Sequence, residues 1–298
     1  MSAFLPGRCR PSFGLWCFLN LGLLVFLSAA AAQAGLPLQS SRASPFDLAL
    51  TGRLAGVPAG ETRFARWEDL RALPTSKIKL EGEFLKGEQE VTVVFLSDVL
   101  GALPVSQGVD TVLATCTDGY ASVYEVSAME AHRPFVILEI NGKGPSEWPP
   151  PGIQYNPGPY VVFISPTVAP AVASLLDVGH KRPWGVTTIE LANFAEKFAG
   201  IQQGRWAGLS ATAAQGREIW VHSCTSCHKG PGGSFGGSKS DRPFEVLAAH
   251  AGYNQAYFKR YVHDPQAVVP GAKMQGHPHY NHTQLDALIA FITAEQKP

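Results

Sequence analysis

The 298 residues predict two domains: an α+β domain dominated by a mixed or antiparallel sheet over residues 35–200, then an all-α domain over residues 210–298. Three observations point there. Between residues 46 and 191 the apolar residues fall in short runs rich in β-branched and aromatic side chains, whereas beyond residue 210 they recur at helical spacing. Between these regions Ala199 to Gly208 is glycine-rich and weakly periodic, so residues 201–209 read as a linker. A chain this long, once an export segment is set aside, is comfortable as two domains, and its 45% hydrophobic and 16% charged residues are ordinary globular material.

The elements follow in order. Arg8 and Arg10 precede an apolar run from Leu15 to Ala32, and Ala32-Gln33-Ala34 is a small-residue cleavage signature, so residues 1–34 read as a secretory signal peptide. The mature chain would begin near Gly35, and an uncleaved anchor is the alternative. No second long apolar stretch follows, so no stable membrane span is expected after cleavage. Strands are expected at 46–50, 91–95, 109–116, 134–140, 160–164 and 186–191, with short helices at 67–71 and 96–100. The proline-rich passage from Gly144 to Tyr160 reads as an extended surface crossing. No strand is followed by G-x-G-x-x-G and there is no P-loop, which sets aside a nucleotide-binding fold. In the last region Gly216, Trp220 and Cys224 recur at intervals of four, on one helix face. Leu285, Leu288, Ile289 and Ile292 mark a final helix with Thr283 as its N-cap.

Formal charge is zero overall but uneven. Residues 35–200 carry 13 Lys+Arg against 18 Asp+Glu, a net of −5, and residues 201–298 carry 9 against 6, a net of +3. Such opposition suits electrostatic docking of the two regions, and nothing in it resembles a nucleic-acid surface.

Cys224-Thr225-Ser226-Cys227-His228 is the most specific chemical signal. C-x-x-C-H is the spacing at which two thiols become joined covalently to a haem edge while the next histidine ligates iron. A zinc site would want a second ligand pair, and after signal removal the chain retains one other cysteine, Cys116. A thioredoxin-like thiol pair is the remaining alternative for the motif.

With its flanking residues this region resembles the class I c-type cytochromes. In that family the first and last helices cross at residues such as Gly216 and Trp220, and the loop holding Val269-Pro270-Gly271-Ala272-Lys273-Met274 is similar to the one that carries the sixth iron ligand. The resemblance therefore implies an all-α cytochrome c domain with one covalent haem c, held by Cys224 and Cys227 and ligated by His228 and Met274. The family usually places proline after this methionine. Here Gln275 stands there, leading to His277, His279 and His282, so ligation by two histidines stays open.

The earlier runs, in order, resemble the molybdopterin-binding domain of the sulfite oxidase family. The carrying residues are Phe95 to Leu100, Thr115-Cys116-Thr117-Asp118-Gly119-Tyr120, Gly158-Pro159 before the strand that leads to Pro166, and Lys181 and Trp184 before Ile189-Glu190-Leu191. The resemblance covers most of residues 45–195 and implies that Cys116 would be the molybdenum ligand. Against molybdopterin stand the shortness of the domain and Val161, where the family commonly has arginine; His132, Arg133, His180, Lys181 and Arg182 are the substitute anion donors.

The expected function is a periplasmic c-type cytochrome that passes single electrons to and from redox partner proteins, with the N-terminal region as a docking or structural domain. An electron carrier or haem subunit is thus expected rather than a complete enzyme. The alternative is a molybdenum-dependent, sulfite oxidase-like oxidoreductase feeding its own haem. A haem sensor with an open sixth site is the third class, which Met274 disfavours.

Overall fold

The computed structural model describes residues 35–296 apart from 83, 84, 152, 154, 173–180 and 203–205; the expected signal peptide and His180 lie outside the described residues. Among the described residues the strands are β1 (Leu48–Gly52), β2 (Arg63–Ala65), β3 (Thr75–Gly82), β4 (Leu85–Phe95), β5 (Thr111–Cys116), β6 (Ala121–Glu125), β7 (Phe135–Ile140), β8 (Tyr160–Phe163) and β9 (Trp184–Ala192). They form one nine-stranded sheet in the order β2-β1-β9-β8-β7-β4-β3, with β5 also on β9 and β6 on β5. Among the described residues only β1 and β9 pair in parallel. Strand β9 is the hub, since β1, β5 and β8 all bond to it.

Alternation assigns the faces. On β5, Val112, Ala114 and Cys116 join one apolar cluster with β1, β8 and β9 residues, while Leu113 points the other way. Along β8, Tyr160 and Val162 enter that same cluster, and Val161 and Phe163 enter another formed with β4 and β7. Both faces of the sheet are thereby covered, so its strands read as near-continuous apolar runs. The helices α1 (Trp67–Arg71), α2 (Leu96–Ala102), α3 (Met129–His132) and α4 (Phe194–Lys197) are short caps along the sheet's connections. The passage from Gly144 to Tyr160 is not a surface crossing, because Trp148, Ile153 and Tyr160 are buried in it.

Beyond residue 210 lie α5 (Ala211–His222), α6 (Phe244–Tyr253), α7 (Gln255–His263), α8 (Pro265–Val268) and α9 (His282–Ile292). Ser210 caps α5 by accepting from the Ala213 N–H. Helix α9 is capped by Asn281 in a reciprocal box with Gln284, two residues before the expected Thr283. Helices α5 and α9 cross with their backbones in contact: a Cβ on Gly216 would stand 1.9 Å from the Ala287 carbonyl oxygen. Trp206, Trp220, Phe244 and Phe291 pack edge to face and tilted around this crossing.

The expected division into a sulfite-oxidase-like sheet domain and a separate all-α class I cytochrome c domain does not hold. Residues Ala34–Pro298 form one compact unit, a mixed α/β body dominated by the nine-stranded sheet with helices on the C-terminal side. The physical reason is a shared core. Leu113, Val123 and Ala192 of β5, β6 and β9 are buried in the same cluster as Trp220, Phe244, Leu288 and Phe291. Ile201 and Trp206, in the stretch expected as a linker, are buried there too. A glycine-rich composition marked a turn, but not a gap between cores. No described helix is long and apolar enough to cross a membrane.

Candidate functional site

Helix α5 delivers the cysteine motif. After His222 the chain tightens into a 3-10 turn over Cys224–Ser226, with the Cys227 and His228 N–H groups both donating to the Cys224 carbonyl, at 3.1 and 2.9 Å. Thr225 and Ser226 are buried; Thr225 Oγ1 donates to the Val221 carbonyl at 2.5 Å. The backbone of the motif is covered from outside by residues 236–240. Gly237 N–H donates to Thr225 O at 2.7 Å, Ser240 N–H to Cys227 O at 3.1 Å, and Ser238 N–H continues to Gly119 O on the β5–β6 turn at 2.9 Å. Only glycine fits at 237, where a Cβ would lie 2.0 Å from Ser226 O.

Cys224, Cys227 and His228 line a cavity of about 1130 Å³. Met274 and His277 line it as well, from the segment between α8 and α9. The wall nearest the sheet consists of Asp118, Tyr120, Tyr155, Arg182 and Trp184. The two regions that the sequence set apart therefore build one cavity together.

Its electrostatics follow from burial. The His228 imidazole is pushed down to about 4, by loss of water contact first and by His277 second, so the ring is neutral near pH 7. Its Nδ1 is buried with no hydrogen-bond partner, as is Trp220 Nε1 beside it, the two rings being 6.2 Å apart. Burial also raises the Cys227 thiol, with Lys239 opposing and Asp118 reinforcing the shift. Met274 is half-buried against the helical core. Of the three candidate histidines, His277 alone lines the cavity; it is buried and stacks on Tyr280 at 5.1 Å. His279 is exposed against the edge of Tyr280, and His282 is the exposed first residue of α9.

Two thiols for attachment, with a neutral imidazole and a thioether or second imidazole as iron donors, are what a covalent haem would need, and a cavity of this size with apolar walls from Leu247, Phe258, Val262, Leu288 and Ile292 would suit one. These residues would hold haem c, which would supply one-electron chemistry.

Cys116 does not join them. It ends β5, in an apolar cluster, and burial pushes its thiol up to about 12, with Asp118 adding to the shift and Lys239 opposing it. A soft-metal ligand must lose its proton, and this environment keeps it on. Two of the substitute anion donors, Lys181 and Arg133, are engaged elsewhere. Lys181 is buried with Nζ donating to Val123 O at 2.7 Å, Arg133 lies 4.2 Å over Phe95, and Val161 is fully buried. The described residues do not fit a molybdopterin at Cys116.

Sequence reasoning missed a cluster at the seam. Glu125 at the end of β6, Glu218 and His222 on α5 bring three donor atoms within 4.8 Å. His222 Nε2 lies 2.8 Å from Glu125, and Lys181 Nζ lies 3.4 Å from Nδ1. With Nε2 on Glu125 and Nδ1 beside Lys181, both ring nitrogens are engaged within the protein, so the cluster acts as a hydrogen-bonded strut between sheet and helix. The His222 hydrogen bond holds the Glu125 carboxyl below its usual range. Separations of 41 and 97 residues left no local signal for it. No family model and no curated protein matches this chain.

Proposed function

We propose that this chain is a periplasmic one-electron carrier that holds a single haem c through Cys224 and Cys227, with His228 as one axial ligand and Met274 as the other, and that it exchanges electrons with redox partner proteins. One observation carries the reading: both thiols, the neutral His228 ring and Met274 line a single cavity large enough for the macrocycle. Addition of each S–H across a vinyl group would form the S–C bond and place the hydrogen on the neighbouring carbon, so attachment consumes no oxidant. A thioether opposite an imidazole favours the ferrous state and suits electron transfer. The sheet region then serves as one wall of the haem cavity and as the structural support of α5.

Two experiments test this. Protein matured in a periplasm with haem-attachment machinery should carry haem that survives a denaturing gel, and the double variant Cys224→Ala/Cys227→Ala should carry none; covalent haem in the double variant would refute the reading. Met274→Ala should lower the reduction potential and remove the sulfur-to-iron charge-transfer band at the red end of the ferric spectrum. His277 also lines the cavity and is buried. If the wild type lacks that band and His277→Ala alters the ferric spectrum instead, His277 is the sixth ligand.

A further inference from the structure

The cavity carries an excess of positive charge that its own residues do not neutralise. Arg182, Lys239, Arg242 and Lys273 line it against two carboxylates, Asp118 and Asp241. Lys239 is spent on Asp118 at 2.5 Å, and Arg242 lies 4.0 Å from the exposed Asp241. Arg182 is different. Its Nε is buried with no hydrogen-bond partner, and its guanidinium carbon lies 4.9 Å from the centre of the Phe163 ring. Among the described residues no carboxylate pairs with it. A half-buried guanidinium without an anion is costly, and its fork of N–H donors matches a carboxylate. It stands just before β9, so it belongs to the sheet side of the cavity that the cysteine motif also lines.

Resting on the haem reading above, we propose that Arg182 binds a propionate carboxylate of the haem, so that the sheet region sets the charge balance, and hence the potential, of a haem attached to the helical region. The recognised chemistry is a carboxylate on a tetrapyrrole edge. Arg182 is a positioning residue: it acts on the iron through charge, without touching it. A cation held near the haem stabilises the ferrous state, and pairing keeps the propionate ionised across the neutral range.

The test uses the matured full chain, with wild type, Arg182→Gln, Arg182→Lys and Lys239→Gln compared by redox titration from acid to alkaline pH. Arg182→Gln should retain covalent haem and shift the ferrous-to-ferric ratio at fixed poise by about tenfold toward ferric, equivalent to about 59 mV for one electron. It should also bring a pH-dependent step into the weakly acidic range, as the unpaired propionate takes up a proton there. Arg182→Lys keeps the charge but not the fork, so it should hold most of the potential while displacing the step. Lys239→Gln, removing a cation already paired with Asp118, should change both least. Potentials and pH profiles unchanged in both Arg182 variants would overturn this inference and leave the haem reading standing. A wild type without covalent haem would overturn both. If Arg182→Gln does not accumulate as holoprotein, Arg182→Lys decides alone, since an unaltered pH profile in it counts against the pairing.

Discussion

The two faces of strand β5 meet different surroundings. On one face Val112, Ala114 and Cys116 close a filled apolar core made of strand residues; on the other Leu113 supports helices that surround a cavity of about 1130 Å³. The same pair, Asp118 and Lys239, acts on a thiol on each side, Cys116 and Cys227, and burial raises both. Cys116 nevertheless packs in a filled hydrophobic cluster, whereas Cys227 lines a cavity with His228 and Met274, next to the unpartnered ring nitrogens of His228 and Trp220. A buried polar atom without a partner costs roughly 1–3 kcal/mol, so a fold keeps several around one cavity where a bound group repays them. One face of the strand closes a filled core and the other faces helices around a cavity.

The contrast can be broken most severely at the helix crossing. Gly216→Ala would drive a methyl group into the Ala287 carbonyl, at 1.9 Å, and against Phe291 Cβ, at 2.8 Å. Backbone cannot move aside cheaply, and overpacking of this kind costs about 1–3 kcal/mol or more. Each kcal/mol should lower Tm by roughly 2–4 °C in a body of this size. Near-ultraviolet circular dichroism should show the loss first in the signals of Trp206 and Trp220, while far-ultraviolet strand signal persists. An unchanged Tm would mean that the helices do not touch at this residue.

A smaller effect is expected on the filled side. Cys116→Ser places a hydroxyl in an apolar cluster and should cost about 1–3 kcal/mol by desolvation, with haem absorbance and reduction potential unaltered. Elemental analysis sharpens the comparison. About one molybdenum per chain in the wild type, lost in Cys116→Ser together with sulfite-dependent haem reduction, would make both faces of β5 binding faces.

The smallest effect lies on β7, away from both. Burial would raise the Glu139 carboxyl, but Arg71 Nε at 2.8 Å and the Thr92 hydroxyl donating at 2.7 Å outweigh it and hold the group below its ordinary 4.5. A carboxylate depressed on folding stabilises the protein above its unfolded pKa, and that contribution is lost as pH falls through the folded value. Glu139→Gln should therefore be less stable than wild type by about 1 kcal/mol or below near pH 7, with the gap closing at an acid pH below the ordinary carboxylate range. Denaturant midpoints at the two pH values measure it; a gap that widens in acid would show that the pair does not hold the charge.

Much of the local structure was legible. The β-branched runs at 91–95, 134–140 and 186–191 lie in β4, β7 and β9, because side chains buried on both faces leave an unbroken apolar signal. Strand β3 was not legible, since Ile78 and Leu80 alternate with Lys77 and Lys79 on an edge whose charges pair with Glu90 and Glu88 of β4. The unity of the body was hidden for a different reason. Leu113, Val123 and Ala192 look like any sheet residues, and only the tertiary fold shows that they pack on α5 and α9. In the site, spacing alone brought out Cys224, Cys227 and His228, and the sequence also offered Met274. Arg182, Trp184 and Asp118 became part of it through contacts across more than a hundred residues or between strands and loops, where no periodicity speaks.

The covering of the cysteine motif bears on the order in which the protein is made. Thr225 and Ser226 lie beneath residues 236–238, which are themselves bonded to the β5–β6 turn, so the motif's backbone is sandwiched between a loop and the sheet once the body has closed. An assembly enzyme that must grip this backbone cannot reach it in the finished protein. Whatever acts on Cys224 and Cys227 through such a grip has to do so while the chain is still open, and closure of the 236–240 segment then seals the result.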